Sequence, residues 1–309
     1  MQTHAVVLNG PGELELRRLD LTPPGDEDAV IEIAWSGIST GTERLLYTGR
    51  MPDFPGMGYP LVPGYESAGF VAEAGRNAGV KIGQFVFVPG ASCYGDIRGL
   101  FGGSASRVVT RGARIVTLPE SLGEHATLLA LAATAQHAIA IGGTPDLIIG
   151  HGTLGRLLAR LAVLAGGTPV VWERNAARRD GAQNYPVIDP AEDTQGRYRT
   201  IIDVSGDTAL LDTLIGRLMP NGAVVLAGFY DTIHFAFPPA FMREARLLIA
   251  AQWQPADLAY VVAQAEAGTL SLTGLITHRR SAADAQDAYR MAFEDPACLK
   301  MSLDWSAAA

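Results

Sequence analysis

The chain has 309 residues, enough for two domains that each bury a core, and a formal net charge of −8 that speaks against a nucleic-acid role, since a phosphate backbone requires a basic face. Its only cysteines, Cys93 and Cys298, exclude a disulfide framework and any CxxC metal lobe, and fit a reducing, cytoplasmic setting. The N-terminal residues lack the basic stretch and long apolar run of a signal peptide, and the most apolar segment, residues 126–141, is shorter than a membrane span and interrupted by Gln136 and His137, so only peripheral membrane contact is left open.

Residues 1–120 read as short strands with Gly, Pro and Asp between them: 5–8, 14–19, 29–36, 67–73, 85–89 and 105–109. Short strands with Gly-rich corners suggest a partly open barrel. Residues 126–141 read as a helix buried in protein, and from there the pattern changes. A strand at 147–149 precedes a helix with Leu154, Leu157, Leu158 and Leu161 at helical spacing. Then come a strand at 169–172, a helix at 176–182, strands at 187–188 and 200–204, a helix at 208–218, a strand at 223–227 and a helix at 258–267. Such alternation predicts an α/β, doubly wound parallel sheet. Residues 274–305 look like a return to the first domain, ending in a strand at 299–303. The expected division is therefore 1–121 with 268–309 as a substrate and catalytic domain, and 122–267 as a dinucleotide-binding domain.

Gly150, His151, Gly152, Thr153, Leu154 and Gly155 form a GxGxxG turn between a strand and a helix. Gly150 permits the tight turn, Gly152 lets a pyrophosphate approach the backbone, and Gly155 allows close helix–strand packing. The helix N-terminus adds free N–H groups and a positive dipole end. The next strand ends at Glu173, where a carboxylate can accept hydrogen bonds from the adenosine ribose; its charge favours NAD over NADP. Arg174, Arg178 and Arg179 follow and offer either partners for a 2′-phosphate or a solvated face. His151 is read as touching the pyrophosphate or pointing to solvent.

Several further segments place the chain in a family. Ser36 to Glu43 (SGISTGTE) resembles the SGICGTD of the medium-chain dehydrogenases/reductases, with one extra residue. Pro63 to Gly69 (PGYESAG) resembles their GHExxG, Lys81 to Val86 their KxGDRV, Thr134 to Ala138 their TAxHA, and Cys298 to Asp304 their closing G-K-x-V-x-D strand. The resemblance implies a Rossmann domain joined to a GroES-like, partly open β-barrel. It also implies pairing of two copies through the Rossmann sheet edge, for which residues 223–230 and 233–241 are candidates. Metal-dependent members hold catalytic zinc with Cys and His in the first two of these segments. Here the Cys position falls on Ser39 or Thr40, the His position on Tyr65, and the third ligand position near Ala130. Hydroxyls are poor zinc ligands beside thiolate or imidazole, and the six histidines, at 4, 125, 137, 151, 234 and 278, show no ligand spacing, so no zinc is expected. The long stretch from Trp35 to Glu66 is similar to the branch of this family that oxidises the C3 hydroxyethyl group of bacteriochlorophyllides, which implies a magnesium tetrapyrrole substrate and NAD.

Without a metal, another group must take the alcohol proton. Tyr65 is the first candidate, as proton acceptor or hydrogen-bond partner, although a phenol with a reference pKa of about 10 needs help to act as a base; it can equally stack or pack. Thr42 matches a relay hydroxyl, with Ser39 or Thr40 as substitutes, or these side chains simply cap backbone. Glu43 and Glu66 match acidic positions of the family; they either orient the site or pair with Arg44, with structural pairing as their expected role. His137 is a candidate facing the nicotinamide ribose or a hydrogen-bonded core histidine. Tyr47, Met51, Phe54, Met57 and Tyr59 lie among glycines and prolines, suiting a loop wall for a flat apolar substrate in an open cleft, or a small local cluster. Two other functions compete: a zinc-free NADPH-dependent quinone or enone reductase, and a nucleotide-binding sensor without catalysis.

Overall fold

The computed structural model describes residues 1–306. The chain forms two compact units, Met1–Ala130 with the chain from Leu275 onward, and Leu131–Gly274 between them.

The first unit opens with strands β1 (Gln2–Gly10), β2 (Glu13–Asp20) and β3 (Asp28–Ile38), then a short helix α1 (Thr42–Tyr47). Strands β4 (Leu61–Val62), β5 (Ser67–Ala74), β6 (Phe85–Val88), β7 (Arg98–Gly99), β8 (Arg107–Arg111) and β9 (Val116–Thr117) follow, and helix α2 (Leu129–Gly142) leads into the second unit. The two-residue strands β4, β7 and β9 escape sequence reading because pieces so short carry no periodicity. Strand β3 organises this unit. It pairs antiparallel with β5 and with β8, and buries Val30, Ile31, Ile33 and Ile38 in the core.

The second unit is a six-stranded parallel sheet of β10 (Leu147–Ile149), β11 (Val170–Trp172), β12 (Val187–Ile188), β13 (Tyr198–Asp203), β14 (Leu218–Leu226) and β15 (Arg246–Ile249), in the spatial order β12-β11-β10-β13-β14-β15. This is the doubly wound arrangement, with its direction reversing between β10 and β13. Helix α3 (Thr153–Leu164) covers the sheet with Leu157, Leu158 and Leu161, all buried, each contributing about 2 kcal/mol of apolar burial. Helices α4 (Leu211–Gly216), α5 (Phe237–Arg243) and α6 (Pro255–Glu266) complete the unit.

Two predicted helices are shortened. Residues 176–182 form only a 3-10 turn, Ala176–Arg178, capped by Asn175. The Arg156 guanidinium takes the carbonyls of Arg178 and Asp180, which a longer helix would use itself, and Gly181 turns away with a positive φ. In the predicted 208–218 helix, a 3-10 turn precedes α4, and Leu218 already belongs to β14.

The chain then returns to the first unit through β16 (His278–Ser281), α7 (Ala285–Glu294) and β17 (Met301–Asp304). Strand β17 pairs antiparallel with the end of β3, setting Met301 opposite Ile38.

Candidate active site

Sheet register assembles the site. Ser36 on β3 faces Ser67 on β5, so the residues just past β3 lie beside those just before β5, and the Gly37 N–H donates to Glu66 O at 2.8 Å. Glycine at 37 leaves room for Glu66: a Cβ there would stand 2.3 Å from Glu66 Oε2 and displace the carboxylate. This register brings Ser39 and Tyr65 together, with Ser39 Oγ 2.8 Å from Tyr65 Oη. Thr42, half-buried at the start of α1, also hydrogen-bonds Tyr65. Ser39 is buried, whereas Thr40 is exposed. The Tyr65 ring meets Phe101 edge-on with centroids 5.8 Å apart, and Phe101 is 38% exposed.

Burial pushes the Tyr65 phenol well above its ordinary value, and the carboxylates of Glu66 and Glu43 push it further. Tyr65 therefore stands as a neutral hydroxyl at physiological pH. Among the described residues no cation acts on it, so of the two readings weighed from the sequence, proton acceptor and hydrogen-bond partner, this arrangement favours the second.

Behind the hydroxyls lies a buried charged layer. Lys300, one residue before β17, reaches across β3 and donates from Nζ to Glu66 Oε2 at 2.6 Å and to Ile38 O at 3.2 Å. Glu66 Oε1 is buried with no hydrogen-bond partner. Glu43, also fully buried, accepts the Ser39 N–H at 3.1 Å through Oε1 and the Tyr289 hydroxyl through Oε2. Burial raises Glu43 to about 7, against the lowering effect of these hydrogen bonds. The pairing of Glu43 with Arg44 weighed from the sequence is replaced by these contacts, because Arg44 is exposed.

In the second unit, the Gly150–Gly155 turn sits at the carboxyl end of β10, at the point where the sheet reverses direction. A Cβ on Gly155 would lie 1.9 Å from Gly150 O, so the helix rests directly on the turn. A Cβ on Gly152 would meet no protein atom within 4 Å. That opening at a helix N-terminus fits a pyrophosphate. Glu173 ties the turn down, accepting from His151 N at 3.0 Å and Asn175 N at 2.8 Å. Each of its oxygens keeps a second lone pair for a ribose hydroxyl.

His151 does not turn its ring to solvent. The ring is buried, with Nδ1 2.6 Å from Arg178 O and Nε2 3.0 Å from the Tyr185 hydroxyl, and burial lowers it to about 4. Arg179 is engaged by Asp189 and Glu173 O, while Arg174 is exposed. His137 Nδ1 lies 2.9 Å from Asp257 Oδ2 at the start of α6, within its own unit.

The alcohol dehydrogenase GroES-like domain family model matches residues 25–120. The 2-desacetyl-2-hydroxyethyl bacteriochlorophyllide A dehydrogenase of Rhodobacter capsulatus is 56% identical over 310 residues, spanning 99% of both chains. The chain belongs to the medium-chain dehydrogenase/reductase family. The protein of the same name from Cereibacter sphaeroides is also 56% identical, over 100% of both chains. An Escherichia coli CFT073 alcohol dehydrogenase solved with NADH shares the fold at a TM-score of 0.84 and 19% identity, over 98% of this chain and 99% of its own. The chain is a dehydrogenase acting on a CH–OH group, and dehydrogenases of this family bind NAD or NADP.

Zinc, which metal-dependent members carry, does not fit the residues present. The positions matched to the ligands hold hydroxyls, at Ser39 or Thr40 and at Tyr65, and the third falls near the buried methyl group of Ala130. Among the described residues, no three His, Cys, Asp or Glu side chains converge. Four of the wall residues, Tyr47, Met51, Met57 and Tyr59, are half-buried on the core of the first unit, and Tyr59 hydroxyl donates to Leu46 O; Phe54 alone is exposed. Tyr47 closes α1 rather than lying in a loop. Sequence reading missed Phe101, Tyr289 and the partner of Glu66; Lys300 lay within the family-like closing stretch, but its role depends on the pairing of β17 with β3.

Proposed function

We propose that the chain oxidises the C3 1-hydroxyethyl group of a bacteriochlorophyllide, a magnesium tetrapyrrole, to an acetyl group in bacteriochlorophyll biosynthesis, with NAD as the hydride acceptor and no protein-held zinc. The observation that carries the reading is the Ser39–Tyr65 hydroxyl pair at the metal-ligand positions, in a chain 56% identical from end to end to dehydrogenases named for that substrate.

The bound dinucleotide supplies the acceptor for the carbinol hydrogen with its electron pair, and a positive charge that acidifies the neighbouring hydroxyl. The chain handles the proton. Tyr65 accepts it from the alcohol while passing its own to Ser39 Oγ, 2.8 Å away, or to the Thr42 hydroxyl, and the hydroxyl that receives it gives up its own proton in turn toward water. Because Tyr65 stays neutral throughout, it moves a proton without holding a charge. The product ketone joins the conjugated macrocycle, which lessens the need for a Lewis acid. Phe101, exposed against the Tyr65 ring, and exposed Phe54, in the stretch that also carries half-buried Met51, Met57 and Tyr59, offer apolar surface for a flat ring system.

Gly150, Gly152 and Gly155 would hold the pyrophosphate, and Glu173, anchored by two backbone N–H groups, favours the unphosphorylated ribose of NAD. Strand β15 forms one edge of the parallel sheet, and Ile249, Phe237, Phe241 and Met242 are exposed on and before it, which suits pairing with a second copy. No helix among the described residues is long and apolar enough to cross a membrane.

The direct test is incubation of purified protein with NAD and hydroxyethyl bacteriochlorophyllide a, following the macrocycle absorption as the acetyl group forms. Turnover of a quinone or enone with NADPH, and none of the hydroxyethyl pigment, contradicts the proposal. Dinucleotide binding without turnover of either points to a sensor.

A further inference from the structure

The hydroxyl pair is braced by residues distant from it in sequence. Tyr289, on α7, is wholly buried, and its hydroxyl donates to Glu43 Oε2. The other carboxylate oxygen accepts the Ser39 N–H at 3.1 Å, and Ser39 Oγ lies 2.8 Å from Tyr65 Oη. Three hydrogen bonds, linked through the covalent frame of Glu43 and of Ser39, therefore connect Tyr289 to Tyr65.

Core packing explains the Tyr289 ring but not its hydroxyl. The ring packs on Phe293 at 5.7 Å and Tyr47 at 6.4 Å between centroids, contacts that phenylalanine makes equally well. The hydroxyl serves Glu43, and a fully buried carboxylate is a costly element that persists only when hydrogen-bonded. What the carboxylate gains for the fold is the placement of one backbone N–H, that of Ser39. Lys300 supplies a second brace on the adjoining residue, donating to Ile38 O, and pairs with Glu66 next to Tyr65. Both braces come from the C-terminal return of the chain.

We infer that Tyr289 is a positioning residue for alcohol oxidation: through Glu43 it fixes Ser39, and through Ser39 the direction of the Tyr65 hydroxyl. The inference rests on the functional reading above, and deepens it. Where a metal would orient an alcohol by coordination, a buried carboxylate held between a tyrosine hydroxyl and a backbone N–H orients the hydroxyl that receives it.

The charged and titratable groups facing Glu43 are Tyr289 from α7, Tyr65 and Glu66 from the approach to β5, and Lys300 from the approach to β17. Burial sets Glu43 at about 7, and the Tyr289 hydrogen bond holds it below where it would otherwise stand. Removing that hydroxyl moves its ionisation to higher pH.

The test compares the wild-type protein with Tyr289→Phe by two readouts. The first is the ring resonance of Tyr65 in isotope-labelled tyrosine, assigned by its loss in Tyr65→Phe. It is expected to titrate near pH 7 in the wild type, and at higher pH in Tyr289→Phe. The second is turnover of hydroxyethyl bacteriochlorophyllide a: kcat falls about tenfold, its rising pH limb moves up with the resonance, and KM for NAD is unchanged. If Tyr289→Phe leaves the Tyr65 resonance and the pH limb where they were, Tyr289 only fills the core and the inference is overturned, whatever happens to stability. Should Tyr289→Phe not fold, Glu43→Gln decides: Tyr65 must lose its pH dependence near 7, and a retained titration overturns the inference. A wild-type protein with the coupled Tyr65 signal and no turnover removes the substrate assignment while leaving the brace in place.

Discussion

Replacing Gly152 by alanine separates ligand binding from folding at the glycine turn. Gly152 has φ −74° and ψ −169°, a conformation any residue adopts, and an added Cβ meets no protein atom within 4 Å. Such a substitution leaves the fold intact and stabilises it by about 0.4–1 kcal/mol through the unfolded chain. The same methyl group fills the space through which a pyrophosphate reaches the helix N-terminus, so NAD affinity should fall by about 10–100-fold, or about 1.4–2.7 kcal/mol. Gly155→Ala should behave in the opposite way. Its Cβ lies 1.9 Å from Gly150 O, so helix and turn must separate by roughly 1 Å or more, at an overpacking cost of about 1–3 kcal/mol. Calorimetric NAD titration with thermal melting on both variants gives the comparison. A Gly152→Ala protein that melts normally and binds NAD as tightly as the wild type would refute the placement of the dinucleotide.

Other substitutions probe the chemistry. Tyr65→Phe should lower kcat by about 100-fold while leaving NAD affinity unchanged, measured by steady-state kinetics; near-normal turnover removes Tyr65 from the proton path. Phe101→Ala should raise KM for the tetrapyrrole several-fold with little change in kcat, and an unchanged KM means the exposed ring does not touch substrate. His151 is neutral in the fold because burial lowers it from 6.5 to about 4, so the folded state binds fewer protons than the unfolded one in that range. Its contribution, about 3 kcal/mol, is complete above pH 6.5 and is lost as pH falls toward 4. Denaturant titrations across this range should show that acid limb in the wild type and a flatter one in His151→Gln.

The doubly wound class of the second unit was legible because short apolar strands alternate with segments such as Leu154, Leu157, Leu158 and Leu161 at helical spacing, whereas the spatial order β12-β11-β10-β13-β14-β15 comes from the structure. Residues 176–182 misled because the carbonyls of Arg178 and Asp180 are claimed by Arg156, a tertiary contact that propensity cannot register. Edge strand β15, half-exposed with neighbouring arginines, carries no clean alternation and went unread. In the site, Ser39 or Thr40 and Tyr65 were legible as hydroxyls at positions where metal-dependent members hold ligands, and Thr42 as a match to a relay hydroxyl. How they are supported was not. The Lys300–Glu66 ion pair depends on β17 lying against β3, and the Tyr289–Glu43 contact on α7 packing behind it. The protonation of Tyr65 was equally hidden, since it is set by burial and by carboxylates that the fold brings near it.

Hydride transfer without a protein-held metal is tested most directly on enzyme dialysed against a strong chelator, freed of it, and assayed for zinc before the magnesium pigment is added. Full conversion of hydroxyethyl bacteriochlorophyllide a by NAD at negligible zinc content is the predicted result. Loss of turnover on dialysis, restored by adding zinc, would contradict it.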